Sequence, residues 1–304
     1  MNETIKNVGL IGLGAVGALY AERLLSSGAA LSVIVDEARR ERYAREGVLV
    51  NGRRVDFPYV TPAQAKPVDL LLVVTKQCGL ESAMETMADF VGENTLIISL
   101  LNGVTSEEAL AERFGQEHVL YAVAQGMDAV KEGNSLIYTR PGMIVLGERE
   151  EGPVSARVQA AADYLIAHDV MVMPVEDMLR RQWSKLMFNV GINQATMVFE
   201  CNYSGVQQPG KARDVMIGAM REAQALAALE GYPISDEEFD AWLALTDTFS
   251  PDGKPSMRQD GEAHRRSEVE LFSGTMIRLG KKHGLSVPVN EWLYEKLKEM
   301  EAAY

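Results

Sequence analysis

Lys185, Asn189 and Asn193 recur at four-residue intervals, interleaved with Leu186, Phe188, Val190 and Ile192. That spacing puts the three polar side chains on one face of an α-helix and leaves the other faces apolar. A lysine beside two amides suits reduction of a ketone. Negative charge develops on the carbonyl oxygen, an ammonium supplies the proton, and amides hold a hydroxyl or carboxylate in place. A second chemical motif stands near the start, where Gly12-Leu13-Gly14-Ala15-Val16-Gly17 follows one apolar run and opens an amphipathic one. The first glycine permits a tight turn and the second lets backbone approach a pyrophosphate. The third lets helix pack close to strand, with the helix N-terminus facing the negative charge. These six residues are therefore expected to bind a dinucleotide. Asp36 follows Gly17 by nineteen residues, at the end of the next apolar run. A carboxylate there accepts hydrogen bonds from ribose hydroxyls and repels a 2′-phosphate, yet Arg39, Arg40 and Arg42 directly after it offer partners for that phosphate. On these residues NAD(H) and NADP(H) both stay open.

The elements that must position these groups follow from the hydrophobic pattern. Strands are expected at 7–11, 31–35, 70–74, 95–100, 119–123, 143–146 and 170–173, several of them continuously apolar as in sheets covered on both faces. Helices are expected between them at 16–27, 37–46, 80–91, 106–114 and 154–167, and Asn51-Gly52 reads as a hairpin turn. Beyond Pro174 the pattern turns helical throughout, over 177–200, 211–230, 236–247, 256–283 and 290–302. The fold class is thus α/β: an N-terminal Rossmann-type doubly wound sheet over 1–174 followed by an all-helical C-terminal domain over 175–304. Ser256 opens the helix expected at 256–283 and is a candidate N-cap. Glu222, on the helix at 211–230, reads as a solvated or interhelical structural residue.

The 304 residues are 47% apolar and 24% charged, in the range of soluble globular chains and long enough for two domains. Thirty Lys and Arg against 43 Asp and Glu leave a net charge of −13, which argues against nucleic acid or anionic membrane as a main partner. Cys78 and Cys201 are far apart, and the four histidines show no ligand spacing, so no metal site is expected and a reducing cytoplasm fits. No apolar run reaches membrane-spanning length, and the first residues carry no export signal. The sequence sets no oligomeric state, a homodimer being one it allows.

Taken together the motifs resemble the ketopantoate reductase (2-dehydropantoate 2-reductase) family. The matching elements are the glycine loop, Lys76, Asn102-Gly103, Trp183-Ser184-Lys185-Leu186 with Asn189 and Asn193, Ser256-Met257-Arg258-Gln259-Asp260, and Glu268, in the family's order along essentially the whole chain. The resemblance implies NADPH-dependent reduction of a 2-oxo acid, typically ketopantoate to (R)-pantoate in pantothenate and coenzyme A biosynthesis. It implies Lys185 as general acid and Glu268 as its catalytic partner, close to the cofactor. Asn102, Asn189, Asn193 and Ser256 would contact substrate. Lys76, Asn102 and the backbone of Ala129 would contact the cofactor beside Gly12, Leu13, Gly14, Ala15, Val16, Gly17 and Asp36. NADP(H) is favoured by the resemblance, and NAD(H) by Asp36, which stands where NADPH-dependent relatives often have arginine. The chain also departs from the family pattern at Pro255, Ser273 and Tyr203. A β-hydroxyacid dehydrogenase and a non-catalytic dinucleotide-sensing regulator are the competing readings. The first is disfavoured by Val16 and by the segment from Ser256 to Glu268, the second by retention of Lys185 and Glu268.

Overall fold

The computed structural model describes residues 4–304. Its contacts divide the chain into two units, the first ending at Leu179 and the second beginning at Arg180. The first unit opens with β1 (Asn7–Ile11), α1 (Ala15–Ser26), β2 (Ala30–Ile34) and α2 (Glu37–Glu46). Next come β3 (Val48–Val50), β4 (Arg53–Val55), β5 (Tyr59–Val60), β6 (Val68–Val73), α3 (Leu80–Met87) and β7 (Val91–Ser99). It closes with α4 (Ser106–Phe114), β8 (Val119–Met127), β9 (Val130–Glu132), β10 (Ser135–Ile137), β11 (Pro141–Gly147), α5 (Ala156–Ala167) and β12 (Val172–Pro174).

Eight strands form one sheet in the order β12-β11-β8-β7-β6-β1-β2-β5. All neighbours run parallel except β8 and β11, which are antiparallel. Both faces are covered, and β6 shows why its residues read as one apolar run. Leu70 and Leu72 point into the core shared with Leu19 and Leu24 of α1 and Leu165 of α5. Leu71 and Val73 point into the opposite core, with Leu80 and Met87 of α3 and Leu110 of α4. Alternate side chains of one strand thus feed two cores, each fully buried side chain contributing about 1.5–3 kcal/mol.

A second sheet, of order β4-β3-β10-β9, was not foreseen beyond its first hairpin. Asn51 and Gly52 do form that hairpin's turn, both with positive φ (47° and 79°), the backbone a two-residue β3–β4 connection requires. The partner hairpin β9–β10 joins β3 in parallel through Leu49 N donating to Asn134 O at 2.8 Å and Asn51 N to Leu136 O at 2.9 Å. Strands of three residues carry too little alternation to be read from sequence.

The second unit is helical: α6 (Met178–Val198, its first residues at the unit boundary), α7 (Ser204–Gln207), α8 (Lys211–Leu229), α9 (Asp236–Asp247), α10 (Ser256–Glu262), α11 (Ser273–His283) and α12 (Pro288–Glu301). A buried polar chain ties four of them. Glu222 of α8 accepts from the backbone N–H groups of Val289 (2.8 Å) and Asn290 (2.9 Å) and from Asn290 Nδ2 (2.8 Å). Gln194 of α6 accepts from Ser273 Oγ at 2.6 Å and Ser273 N at 3.2 Å, satisfying the start of α11. Glu222 is therefore interhelical.

The single long helix expected at 256–283 is instead two. After α10 the chain turns at His264 (φ 48°), Arg265 N donates to Asp260 O at 2.9 Å, and Arg265 Nε donates to the Asp260 carboxylate at 2.9 Å. Ser267 is held from a distance in sequence, its N and Oγ donating to Glu301 at 2.8 and 2.6 Å. Glu268 accordingly sits in the connection between α10 and α11, not on a long helix. Among the described residues no helix is long and apolar enough to cross a membrane.

Candidate active site

In the first unit the parallel register carries four expected residues to one edge. Ile11 pairs with Ile34 and with Val73, and Val73 pairs with Ser99, so β1, β2, β6 and β7 end in line. Gly12, Asp36, Lys76 and Asn102 each follow one of those carboxyl ends, the edge where ligands of such sheets gather. Val74 N donating to Ile11 O (2.8 Å) and Leu100 N to Val73 O (2.9 Å) extend the ladder to the loops.

The glycine loop is shaped for close approach. Gly12 has φ 103°, and a Cβ there would stand 2.6 Å from the Val74 carbonyl oxygen. A Cβ on Gly17 would stand 1.8 Å from the Gly12 carbonyl oxygen, so α1 packs against the loop only with glycine at that position. Gly14, by contrast, has open space where a side chain would lie, and it occupies the N-cap of α1 without a side-chain cap. The first N–H groups of α1 are thus presented at an uncrowded helix end, which fits the pyrophosphate of a dinucleotide. Leu13 is buried in the core with Ala18 and Leu19, while Ala15 and Val16 pack partly against it, so these three side chains fasten the loop.

Asp36 caps α2: its Oδ1 accepts from Arg39 N at 2.6 Å and its Oδ2 pairs with the Arg39 guanidinium. Lys76 is exposed and starts the 3₁₀ turn Gln77–Gly79, and Asn102 is half-buried. Two residues beside Lys76 escaped the sequence reading. Thr75 Oγ1 and Gln77 Oε1 are buried and have no hydrogen-bond partner among the described residues, at the same edge as the glycine loop. Buried polar atoms at a ligand edge favour a polar ligand there. Nothing in a Thr-Lys-Gln run marks this from sequence. Ala129 lies between β8 and β9, packed partly on the core and fixed by its neighbour Asp128, whose carboxylate accepts from Thr139 N (2.9 Å) and Arg140 N (2.7 Å). Burial raises the Asp128 carboxyl pKa, but the bond from the Thr139 hydroxyl, these backbone bonds and the Arg140 charge outweigh it and hold the pKa below the usual carboxylate value.

In the second unit the expected stripe is present on α6. Lys185 is half-buried, and Asn189 and Asn193 are 8% and 4% exposed. Asn193 Nδ2 donates to Asn189 Oδ1 at 3.3 Å. Asn193 Oδ1 in turn accepts from Ser256 Oγ at 3.1 Å and from Met257 N at 3.2 Å. Ser256 is therefore not the N-cap expected of it. Pro255 holds that position without a side-chain bond, and the α6 amide supplies the missing acceptor from across the fold. The result is a hydrogen-bonded polar line of Asn189, Asn193 and Ser256, with Lys185 one turn before it on α6, backed by an aromatic layer. Phe188 stacks on Trp242 at 4.4 Å between ring centroids, and Trp242 Nε1 donates to Ser184 Oγ at 2.8 Å. The structure thus groups Gly12, Asp36, Lys76 and Asn102 in one unit and Lys185, Asn189, Asn193 and Ser256 in the other, with Glu268 in the second unit's α10–α11 connection. Among the described residues no group of three or more His, Cys, Asp or Glu is placed to hold a metal ion.

A Rossmann sheet with a glycine cradle, joined in one chain to a helical unit bearing a lysine–amide line, defines a nucleotide-dependent oxidoreductase. The comparisons specify it. Residues 8–151 match the ketopantoate reductase PanE/ApbA family and residues 177–301 match the ketopantoate reductase PanE/ApbA C-terminal family, so the chain belongs to that family. A 2-dehydropantoate 2-reductase of Archaeoglobus fulgidus is 25% identical over 301 residues, covering 98% of this chain and 99% of the relative. The crystal structure of 2-dehydropantoate 2-reductase from Geobacter metallireducens GS-15 superposes with a TM-score of 0.84 at 27% identity, over 96% of this chain and 99% of its own. A D-mandelate dehydrogenase solved with NADH shares the fold at a TM-score of 0.87 and 22% identity, over 98% of this chain and 99% of its own.

Proposed function

We propose that this protein reduces a 2-oxo acid with a nicotinamide dinucleotide, ketopantoate being the first substrate to try and (R)-pantoate its product, as a cytoplasmic step of pantothenate biosynthesis. The observation that carries this reading is the hydrogen-bonded line of Asn189, Asn193 and Ser256, with Lys185 one turn before it on α6. When bound, the reduced nicotinamide supplies the hydride that the carbonyl carbon accepts. This chain's residues do the rest. Lys185 polarises the ketone and delivers a proton from Nζ to the carbonyl oxygen, which becomes the hydroxyl. Asn189, Asn193 and Ser256 orient the substrate, the serine toward its carboxylate, and Glu268 supports the lysine and the cofactor. Gly12 to Gly17, Lys76, Asn102 and the backbone at Ala129 hold the dinucleotide, with Asn102 also toward the substrate. Family membership, together with 2-dehydropantoate 2-reductase as the name of relatives near 25% identity, supports the substrate class.

The test is loss of nicotinamide absorbance when purified protein meets ketopantoate and NADPH or NADH. Rapid oxidation with either supports the reading. Dinucleotide binding without oxidation of ketopantoate or of other small 2-oxo acids refutes it.

A further inference from the structure

Resting on the glycine loop as a dinucleotide site, we infer that Asp36 and its α2 neighbours select NAD(H) and exclude the 2′-phosphate of NADP(H). The three arginines that follow Asp36 are the groups able to reverse that choice, and the structure accounts for each. The Arg39 guanidinium is paired with Asp36 itself. Arg40 is paired with Glu37. Arg42 lies about 9 Å farther along the helix from Asp36, at 1.5 Å per residue. Its guanidinium rests over the Tyr43 ring at 5.0 Å, where Arg42 lines a cavity with Lys131, Gly133 and Asn134 of the β9–β10 hairpin. Two acidic and two basic side chains therefore cancel at the start of α2, leaving no surplus positive charge for a dianionic phosphate.

The carboxylate also occupies the place an anion would take. The N-terminus of a helix attracts negative charge, and here Asp36 Oδ1 already accepts from Arg39 N at 2.6 Å. A phosphate could draw the exposed Arg39 side chain away, because a solvated ion pair is weak. It could not remove Asp36, which the backbone bond holds at the cap. A carboxylate has about four acceptor positions, and α2 uses two of them, leaving others for the two hydroxyls of an unphosphorylated ribose. One group thus starts α2 and reads the ribose.

The experiment is equilibrium titration of the purified protein with NADH and with NADPH, followed by nicotinamide fluorescence, alongside kcat/KM with ketopantoate. Wild-type protein should bind NADH more tightly than NADPH by about tenfold or more, the scale of one charge repulsion at a partly solvated contact. Asp36→Asn and Asp36→Ser keep a residue that caps helices well, so the melting temperature should hold while that preference shrinks about tenfold. A purely structural Asp36 would change melting and leave the ratio of the two dinucleotides untouched. NADPH preference in wild type, an unchanged ratio in both variants, or failure to bind either dinucleotide overturns the inference. NADH preference in binding without turnover of any 2-oxo acid sinks the reductase reading alone and sustains this one.

Discussion

At the residue scale, Lys185 and Asn193 carry separable burdens. Lys185→Ala should lower kcat by on the order of 10² to 10⁴, the usual contribution of a general acid, with dinucleotide affinity retained. Absorbance kinetics and fluorescence titration check the two halves, and unchanged turnover would remove the proton donor from the scheme. Asn193 is read differently, because its Oδ1 accepts from both Ser256 Oγ and Met257 N. Asn193→Ala leaves the Met257 N–H without its acceptor in a buried place, at a cost of about 1–3 kcal/mol. Urea unfolding should show that loss together with a raised KM for the oxo acid. The stripe of Lys185, Asn189 and Asn193 was legible because helical spacing alone aligns i, i+4 and i+8. The link from Asn193 to Ser256 was not, since 63 residues separate them and only packing brings α10 to α6.

At the element scale, the start of α1 and the start of α12 are the informative points. Gly17→Ala would place a Cβ 1.8 Å from the Gly12 carbonyl oxygen, so α1 must shift away from the loop. Dinucleotide affinity should fall by at least about a hundredfold, since each tenfold loss needs only about 1.4 kcal/mol of misplacement. Titration of the purified variant checks this, and near-normal binding would show that the cradle tolerates the shift. Glu222 satisfies two backbone N–H groups and one amide at α12. Glu222→Ala should cost roughly 2–4 kcal/mol of stability, measured by urea unfolding, because three donors lose a charged acceptor at once. Seven strands of the main sheet and the five helices of the first unit were readable from period and length, whereas the short strands β5, β9 and β10 were not. The break between α10 and α11 was not, because the contacts that hold it, Arg265 to Asp260 and Ser267 to Glu301, include one across 34 residues.

At the scale of the whole molecule, acid stability is set in part by Glu148. It joins the end of β11 to α5 through Arg157 and Ser155, with Arg157 Nε donating at 2.7 Å and Ser155 Oγ at 2.6 Å. Burial pushes the Glu148 carboxyl up, but these partners outweigh it and hold its pKa below the ordinary 4.5. A depressed folded-state pKa means that this stabilisation is complete above about pH 4.5 and fades as the pH falls through the lower folded-state value. Glu148→Gln should therefore be less stable than wild type at neutral pH and converge with it in acid, as followed by urea unfolding between pH 7 and 3. A gap that stays constant across that range would assign the loss to packing instead of charge.

Sequence alone determined the order of seven main-sheet strands and of the first unit's helices, the glycine motif and the lysine–amide stripe, because each shows in a local motif or in helical and strand periods. Asp36 and its arginines were visible too, but their meaning was not: pairing each arginine required the side-chain geometry of α2 and the hairpin at 130–137. The second sheet, the antiparallel β8–β11 pair, the position of Glu268 and the capping of α10 by Asn193 belong to the tertiary structure. All four rest on hydrogen bonds or packing between distant segments, whose registers are set by three-dimensional fit and leave no periodic trace along the chain.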